Sequence, residues 1–177
     1  MARRYSMDRR AYLRTVGAAG AAAAVAGCTG GDEDVIVPGT ASGFPPFEFT
    51  DGGELVGFDI DLAEAVIEEA GYEVGDWTDI EFDSLIPSLT GGDIDLIAAA
   101  MTITDDRAET IAFSDAYYES DQAVLVREDG DYNPESVEDF EGYRIGAQSG
   151  TTGEGEVEAL IEDGTVDEND YRQYDNY

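Results

Sequence analysis

Hydrophobic and polar positions alternate along the chain with two spacings, one typical of strands and one typical of helices. The apolar run 35–37 predicts a buried strand, and residues 39–46 after it, which include two glycines and two prolines, predict a loop. The segment 48–56, with an Asp-Gly-Gly sequence at its centre, predicts a hairpin. Between 59 and 70, apolar residues recur at helical spacing, which predicts an amphipathic helix that stops at Gly71. The apolar stripe of this helix consists of Leu62, Ala63, Val66, Ile67 and Ala70.

The same alternation continues through the second part of the chain. The segment 77–82 predicts a strand, Asp83 is the expected cap of a helix that extends through Leu89, and the small apolar residues 94–99 predict a buried strand. Further elements are expected as a strand at 117–126, a helical turn at 136–140, a strand at 143–147, a helix at 151–163 and a strand at 170–174. This order implies an α/β fold with a parallel sheet and helices on both faces.

The first 28 residues have the pattern of an export signal. Paired arginines at positions 9 and 10 precede the apolar run 16–26, which consists almost wholly of Ala and Gly and is too short to span a bilayer. This arrangement resembles a twin-arginine signal. The run ends in Val-Ala-Gly-Cys, which resembles the lipobox of lipoproteins and predicts lipidation of Cys28, the only cysteine. The alternative is a small buried thiol. Residues 29–34 are expected to form a polar tether.

The charge of the chain is extreme. It has 41 acidic residues, nine arginines and neither lysine nor histidine, which gives a formal net charge of −32. Five of the arginines precede Gly31, so most of the acidic residues lie in the part that is expected to fold. Because salt at about 1 M shortens the Debye length to about 3 Å, this composition indicates adaptation to molar salt. An acidic interaction tail is the alternative, but the acids are interleaved with apolar positions. Nucleic acid is excluded as a partner.

Several short motifs occur in an order that resembles the family 3 extracellular solute-binding proteins, which include glutamine-, histidine- and lysine/arginine/ornithine-binding members. The motifs are Gly39-Thr40, Phe44-Pro45-Pro46-Phe47, Gly57-Phe58-Asp59-Ile60-Asp61-Leu62-Ala63, Phe82-Asp83-Ser84-Leu85-Ile86-Pro87-Ser88-Leu89, Thr102-Ile103-Thr104-Asp105-Asp106-Arg107, Phe113-Ser114-Asp115, Tyr117-Tyr118 and Ser149-Gly150-Thr151-Thr152. The resemblance implies a two-lobed, periplasmic-binding-protein-like clamp with the ligand in the cleft. Residues 35–124 would form the first lobe and residues 125–177 an incomplete second lobe.

The resemblance also implies a role for particular residues of the first lobe. Arg107 matches the family's clamp for the ligand carboxylate, which suits the planar fork of a guanidinium. Thr102 would add a hydroxyl, the backbone of Ala100 would face the ligand ammonium, and Phe44 and Phe82 would sandwich the ligand side chain. The alternatives are a surface salt bridge at a helix end for Arg107 and ordinary core packing for the two aromatic residues.

On the second lobe the matching residues are Gly150, Thr151 and Thr152, which precede a predicted helix. Their free N–H groups would point at the same carboxylate, with help from the helix dipole. An ordinary threonine helix cap is the alternative. Ala41 stands where many family members carry Asp, which disfavours a basic ligand. Family members continue beyond the point that matches Tyr177, so we expect this chain to lack the acid that holds the ligand ammonium and to bind weakly.

The function that the resemblance implies is capture of an amino acid for an ABC importer, without a cofactor or a metal. The partners would be permease subunits and, through the lipid anchor, the extracellular face of the membrane. Histidine and a phosphate-binding glycine loop are absent from the sequence, so nucleophilic and zinc catalysis lack their usual groups. The paired acids Asp59 and Asp61 are expected to be charges at a helix N-terminus. An exported dehydratase-like enzyme and a ligand-sensing domain are the alternatives on this fold.

Overall fold

The structure is a computed structural model that describes residues 34–177. The expected export signal, Cys28 and the tether up to residue 33 lie outside the described residues. Within residues 34–177 no helix has both the length and the apolar character that crossing a membrane requires.

The first half of the described chain contains a small parallel sheet with helices beside it. Its elements are β1 (Val35–Ile36), β2 (Pro38–Thr40), β3 (Phe49–Asp51), β4 (Glu54–Val56), α1 (Phe58–Glu69), β5 (Glu73–Val74), β6 (Thr78–Asp79), a 3₁₀ turn (Phe82–Ser84), α2 (Leu85–Gly91), β7 (Leu96–Ile97) and α3 (Asp105–Ala108). Strand β2 is central and pairs in parallel with both β6 and β7, while β1 pairs in parallel with β5. Strands β3 and β4 form the expected antiparallel hairpin.

The core of this half lies between the central strand and helix α2. Its buried members are Ala41, Leu85, Ile94 and Ala99, with Leu85 fully buried. Gly39 in β2 pairs with strands on both sides, and a Cβ atom at this position would collide with the Ile94 side chain. This packing places the residues after β2 and β7, which include Ala41 and Ala100, at the same edge of the sheet.

The second half contains a shorter parallel pair. Its elements are a 3₁₀ turn (Val137–Phe140), β8 (Ile145–Gln148), α4 (Thr152–Glu162), a second 3₁₀ turn (Glu168–Asp170) and β9 (Tyr171–Tyr174). Strands β8 and β9 pair in parallel with Ile145 opposite Tyr171. The apolar side chains of Phe140, Val157 and Val166 are buried in this half.

Helix α1, the hairpin, the turn at 136–140 and helix α4 lie where the sequence predicts them. Gly71 follows α1 with a φ of 86°, the left-handed conformation that ends a helix. The buried face of α1 differs from the expected stripe, because Val66 and Ala70 are exposed and Ile60 and Asp59 are buried.

Other expectations from the sequence are corrected by the structure. Residues 117–126 form no strand and pair with none of the described strands, and Leu125 is 98% exposed. The expected strand 77–82 shortens to β6, and the expected loop after residue 38 begins only beyond Thr40. Asp83 lies inside a 3₁₀ turn and does not cap helix α2, which runs two residues past Leu89. Strand β5 was not predicted.

Candidate functional site

Arg107 joins the two halves of the described chain. Its position is set by α3, where the Thr104 hydroxyl accepts the Arg107 backbone N–H at 3.2 Å. One terminal nitrogen of the guanidinium donates to the Thr102 carbonyl at 2.7 Å, and the other donates to the Gly150 carbonyl, 43 residues away, at 2.9 Å. The guanidinium carbon lies 5.5 Å from the centre of the Phe82 ring, which is a cation–π geometry.

The partners of Arg107 are therefore two carbonyl oxygens and an aromatic face, and the guanidinium keeps further N–H groups for an anion. Burial lowers the pKa of Arg107. Of the residues that the sequence indicates, the structure brings Thr102, Arg107, Phe82 and Gly150 into one cluster.

The turn at Gly150 packs directly on the residue that follows Phe82. Gly150 has a φ of 73°, and a Cβ at this position would lie 2.8 Å from the Cβ of Asp83. The Ser149 hydroxyl donates to the Asp83 carboxylate at 3.0 Å. Glycine is thus required here both for the backbone conformation and for the close approach of the two halves.

The amides of this turn differ from the expectation. The Gly150 N–H is not free, because it donates to the Glu154 carboxylate at 2.7 Å. The Thr151 hydroxyl accepts a hydrogen bond from the Glu154 N–H at 3.2 Å, so Thr151 is the N-cap of α4. This is the ordinary threonine helix cap that the sequence offers as the alternative. The N–H groups of Thr152 and Gly153 lie in the first turn of α4, where a helix leaves its amides without intrahelical partners.

Glu154 and Gln122 are two site residues that the sequence analysis missed. The Glu154 carboxylate also accepts the Tyr171 hydroxyl at 2.8 Å and the Gln173 amide at 2.6 Å. Burial and this carboxylate raise the pKa of Tyr171 to about 12. Gln122, on the segment between the halves, donates to the Thr152 hydroxyl at 2.8 Å. The only sequence signal for Glu154 was its position three residues after a helix cap.

Phe44 lies in an aromatic cluster apart from Arg107. Its ring stacks on Phe47 at 5.6 Å and on Tyr177 at 5.2 Å between ring centres. Phe47 in turn meets the edge of Tyr118 at 5.0 Å. The structure therefore places the two aromatic residues of the expected sandwich, Phe44 and Phe82, in different contacts, and Tyr177 covers one face of Phe44.

Ala100 and Thr102 follow strand β7. Ala100 has a φ of 44°, and its N–H donates to the buried Asp59 carboxylate at 2.6 Å. The same Asp59 oxygen accepts the Tyr117 hydroxyl at 2.7 Å. The Thr102 carbonyl is engaged by Arg107, while its side chain is exposed. Asp59 lies in the first turn of α1, as expected, and its carboxylate also accepts hydrogen bonds from Ala100 and Tyr117.

Two cavities adjoin these residues. One, of about 580 Å³, extends from Phe44 and Phe47 past Ala100 and Thr102 to Tyr117. The other, of about 190 Å³, lies between the halves of the described chain. We call it the acidic cleft, and its lining includes Ala41, Asp79, Glu81, Phe82, Gln148 and Asp175. Among residues 34–177 no group of three or more His, Cys, Asp or Glu side chains is placed to hold a metal ion.

Glu48 is a second buried acid close to Asp59. It is 2% exposed, and burial followed by the negative charge of Asp59 raises its pKa to about 9. One of its carboxylate oxygens has no hydrogen-bond partner among the described residues. This shift favours the protonated, neutral form of Glu48 at neutral pH.

This burial predicts a pH dependence of stability. Because the folded pKa lies above the ordinary value of 4.5, folding takes up a proton, and the free energy of unfolding falls as the pH rises from about 4.5 to about 9. Glu48→Gln removes this contribution. From pH 5 to pH 8 the free energy of unfolding of the variant should therefore rise by about 2 kcal/mol relative to that of wild type, a figure reduced for solvent screening. Urea unfolding at both pH values measures it. The exposed Glu54→Gln is the control, and parallel curves for Glu48→Gln and wild type would contradict the prediction.

Comparison with known proteins places this geometry in context. The family model of the bacterial extracellular solute-binding proteins, family 3, matches residues 36–172. The probable histidine-binding protein of Campylobacter jejuni is 39% identical over 122 residues, which are 69% of this chain and 47% of that protein. The arginine-binding extracellular protein ArtP of Bacillus subtilis is 35% identical over 116 residues, 66% of this chain and 44% of its own length.

Solved structures agree with the sequence comparison. An ancestral arginine-binding protein bound to arginine superposes with a TM-score of 0.75 at 39% identity, over 82% of this chain and 63% of that one. An ancestral amino acid-binding protein described as a precursor of cyclohexadienyl dehydratase has a TM-score of 0.72 at 32% identity, over 81% of this chain and 62% of its own. The chain thus spans less than half the length of these curated relatives and under two thirds of these structures.

Proposed function

The chain belongs to the family 3 bacterial extracellular solute-binding proteins, and from this premise we propose that it captures a free amino acid for an ABC importer. Its fold is the α/β fold of the two-lobed periplasmic-binding-protein-like clamps. We propose that residues 35–124 belong to the first lobe and residues 125–177 to part of the second. The observation that carries the proposal is the position of Arg107 between Thr102, Phe82 and the Gly150 turn.

The ligand carboxylate would bind where these groups converge. The unused N–H groups of Arg107 provide a charged fork, Thr102 is exposed, and the first amides of α4 follow Gly150, whose carbonyl Arg107 contacts. Since the Gly150 N–H already donates to Glu154, we assign the contacts of the second half to Thr152 and not to Gly150. The backbone of Ala100 would meet the ligand ammonium, and Phe82 would pack against the ligand side chain.

A cationic ligand side chain is favoured by the acidic cleft. Ala41, which is expected from the sequence to disfavour a basic ligand, is buried at its wall, but the acidic residues Asp79, Glu81 and Asp175 line the same space. The Asp79 carboxylate accepts a hydrogen bond from the Ser42 backbone N–H at 2.8 Å, and this contact fixes the position of the Asp79 charge. A guanidinium or ammonium in this cleft would gain charge-assisted hydrogen bonds. The relatives described as arginine-binding and histidine-binding proteins agree with this ligand class.

The test is a calorimetric titration with arginine and its neutral isostere citrulline, in molar KCl. We expect arginine to bind at least about tenfold more tightly, or about 1.4 kcal/mol, because only arginine carries the charge. Glutamine and histidine complete the series. Equal affinities for arginine and citrulline would rule out selection for a cationic side chain and would favour a neutral polar amino acid as the ligand. No binding of any of the four amino acids would overturn the proposed function.

Circular dichroism across KCl concentrations tests the proposed adaptation to molar salt, for which the folded fraction must fall at low salt.

We further propose that the chain is anchored at the extracellular face of the membrane through a lipid on Cys28, after twin-arginine export. The family is extracellular, and the lipobox-like sequence supports the anchor. In Cys28→Ala the membrane-bound fraction should fall to the background level while the fold is unchanged, because Cys28 precedes the described domain. Fractionation and immunoblotting measure this, with Thr29→Ala as the control. Equal membrane retention of Cys28→Ala would contradict the anchor.

A binding role without catalysis is part of the same proposal. Permease subunits would be the protein partners, since the relatives include binding proteins of ABC transporters. The groups that gather around Arg107 are hydrogen-bond donors, carbonyls and an aromatic ring, which suit recognition. The similarity to a dehydratase precursor keeps an enzyme as the alternative, and mass spectrometry of the ligand after incubation distinguishes the two, since a binding protein returns it unchanged.

A further inference from the structure

Ala100 has a backbone conformation that its side chain disfavours. Among residues 34–177 it is the only non-glycine residue with a positive φ, at 44°. A Cβ atom in the left-handed region is crowded by the following carbonyl, so such a residue persists only where surrounding contacts hold it. Ala100 also begins the segment that supplies Thr102, whose carbonyl anchors the Arg107 guanidinium at 2.7 Å. Ala100 therefore lies two residues before a group that contacts the Arg107 guanidinium.

The contact that holds Ala100 comes from a distant part of the chain. The Asp59 carboxylate, 41 residues earlier, accepts the Ala100 N–H at 2.6 Å and is only 1% exposed. Asp59 is the second residue of α1, and its own N–H donates to the Phe47 carbonyl at 2.9 Å. The carboxylate is thus presented from a fixed backbone to a fixed amide.

The same carboxylate oxygen has a second donor on the segment between the halves. The Tyr117 hydroxyl donates to it at 2.7 Å, and the Tyr117 ring lies 5.9 Å from the ring of Phe58, which begins α1. Residues 117–126 have no ladder to hold them. This hydrogen bond is therefore a polar tie between the segment and the first half, 58 residues apart in sequence.

We propose that Asp59 is a positioning residue that holds Ala100 in its left-handed conformation and ties Tyr117 to the same point. Through Ala100, Asp59 sets the place of Thr102 and hence of Arg107, and through Tyr117 it sets where the chain leaves the first half. The consequence for ligand affinity rests on the proposed function, whereas the conformational role does not.

Amide hydrogen exchange by NMR in the full chain tests the conformational role. Asp59→Ala should speed exchange of the Ala100 amide at least about tenfold relative to the Ala98 amide, which donates to the Gly39 carbonyl in the sheet. Asp59→Asn retains an acceptor oxygen and should stay within about twofold of wild type. Equal acceleration at Ala98 and Ala100 would mean general loosening and would overturn the proposal. If Asp59→Ala does not fold, the test is the scalar coupling between the Ala100 amide nitrogen and the Asp59 carboxyl carbon, measured in the wild-type protein. Absence of this coupling overturns the proposal.

Ligand titration separates positioning from simple stabilisation. In folded samples Asp59→Ala should lower arginine affinity about tenfold, and adding Ala100→Gly should recover it to within about threefold, since glycine adopts a positive φ without the side-chain penalty. A merely structural role would lower the melting temperature without this recovery of affinity. Unchanged affinity in Asp59→Ala overturns the positioning role even if exchange accelerates. If wild type binds none of the amino acids, the proposed function fails, while the exchange result still decides whether Asp59 holds Ala100.

Discussion

Replacing Arg107 by lysine is expected to weaken amino-acid binding by about 1.5–3 kcal/mol, or roughly ten- to a hundredfold. A lysine ammonium is a point charge, so it cannot donate at once to the Thr102 carbonyl, the Gly150 carbonyl and a ligand carboxylate. The variant should also lose the packing of the guanidinium over Phe82. Calorimetry with arginine in molar salt measures the change.

Arg172→Lys is the matched control for this experiment. Arg172 also donates to carbonyl oxygens, those of Asn169 and Tyr171, but these are near neighbours in sequence and outside the candidate site. Its replacement should leave the affinity within about twofold of wild type. If Arg107→Lys binds each amino acid as tightly as Arg172→Lys does, the carboxylate site lies elsewhere or the ligand belongs to another chemical class.

Replacing Gly150 by alanine is expected to destabilise the fold by about 2–4 kcal/mol and to abolish the close approach of the two halves. The added Cβ would lie 2.8 Å from the Cβ and 2.9 Å from the Cα of Asp83, and the φ of 73° would be strained for any side chain. Because the Gly150 carbonyl accepts from Arg107, movement of this turn should also displace the guanidinium. Urea unfolding measures the stability and titration measures the binding.

Gly155→Ala, in the helix that follows the Gly150 turn, is the control. Gly155 lies in α4 without a positive φ, and a Cβ added there would point into open space, so alanine should stabilise the helix by up to about 1 kcal/mol. If the free energy of unfolding falls in Gly150→Ala and rises in Gly155→Ala, the effect comes from the Gly150 turn and not from the loss of a glycine as such. A Gly150→Ala protein as stable as wild type would mean that the turn does not pack on Asp83 in solution.

The site residues differ in how far the sequence could identify them. The motifs indicated Thr102, Arg107 and Gly150, and the structure joins all three by hydrogen bonds. The sequence predicts the place of Asp59 at a helix N-terminus but not its buried contacts, because in a chain with 41 acidic residues one buried carboxylate has no distinguishing local pattern. Gln122 and Tyr117 were missed as site residues for a related reason, since their partners lie 30 and 58 residues away.

By itself the sequence determined the features that depend on neighbouring residues. Helices α1 and α4, the hairpin and the stop at Gly71 follow from apolar spacing and from the backbone freedom of glycine, which act within a few residues. Only the tertiary structure decided that residues 117–126 form no ladder and that the Gly150 N–H is taken by Glu154. It alone showed which face of α1 is buried. The reason is that ladders, burial and charged hydrogen bonds depend on the group placed opposite, and folding brings that group from elsewhere in the chain.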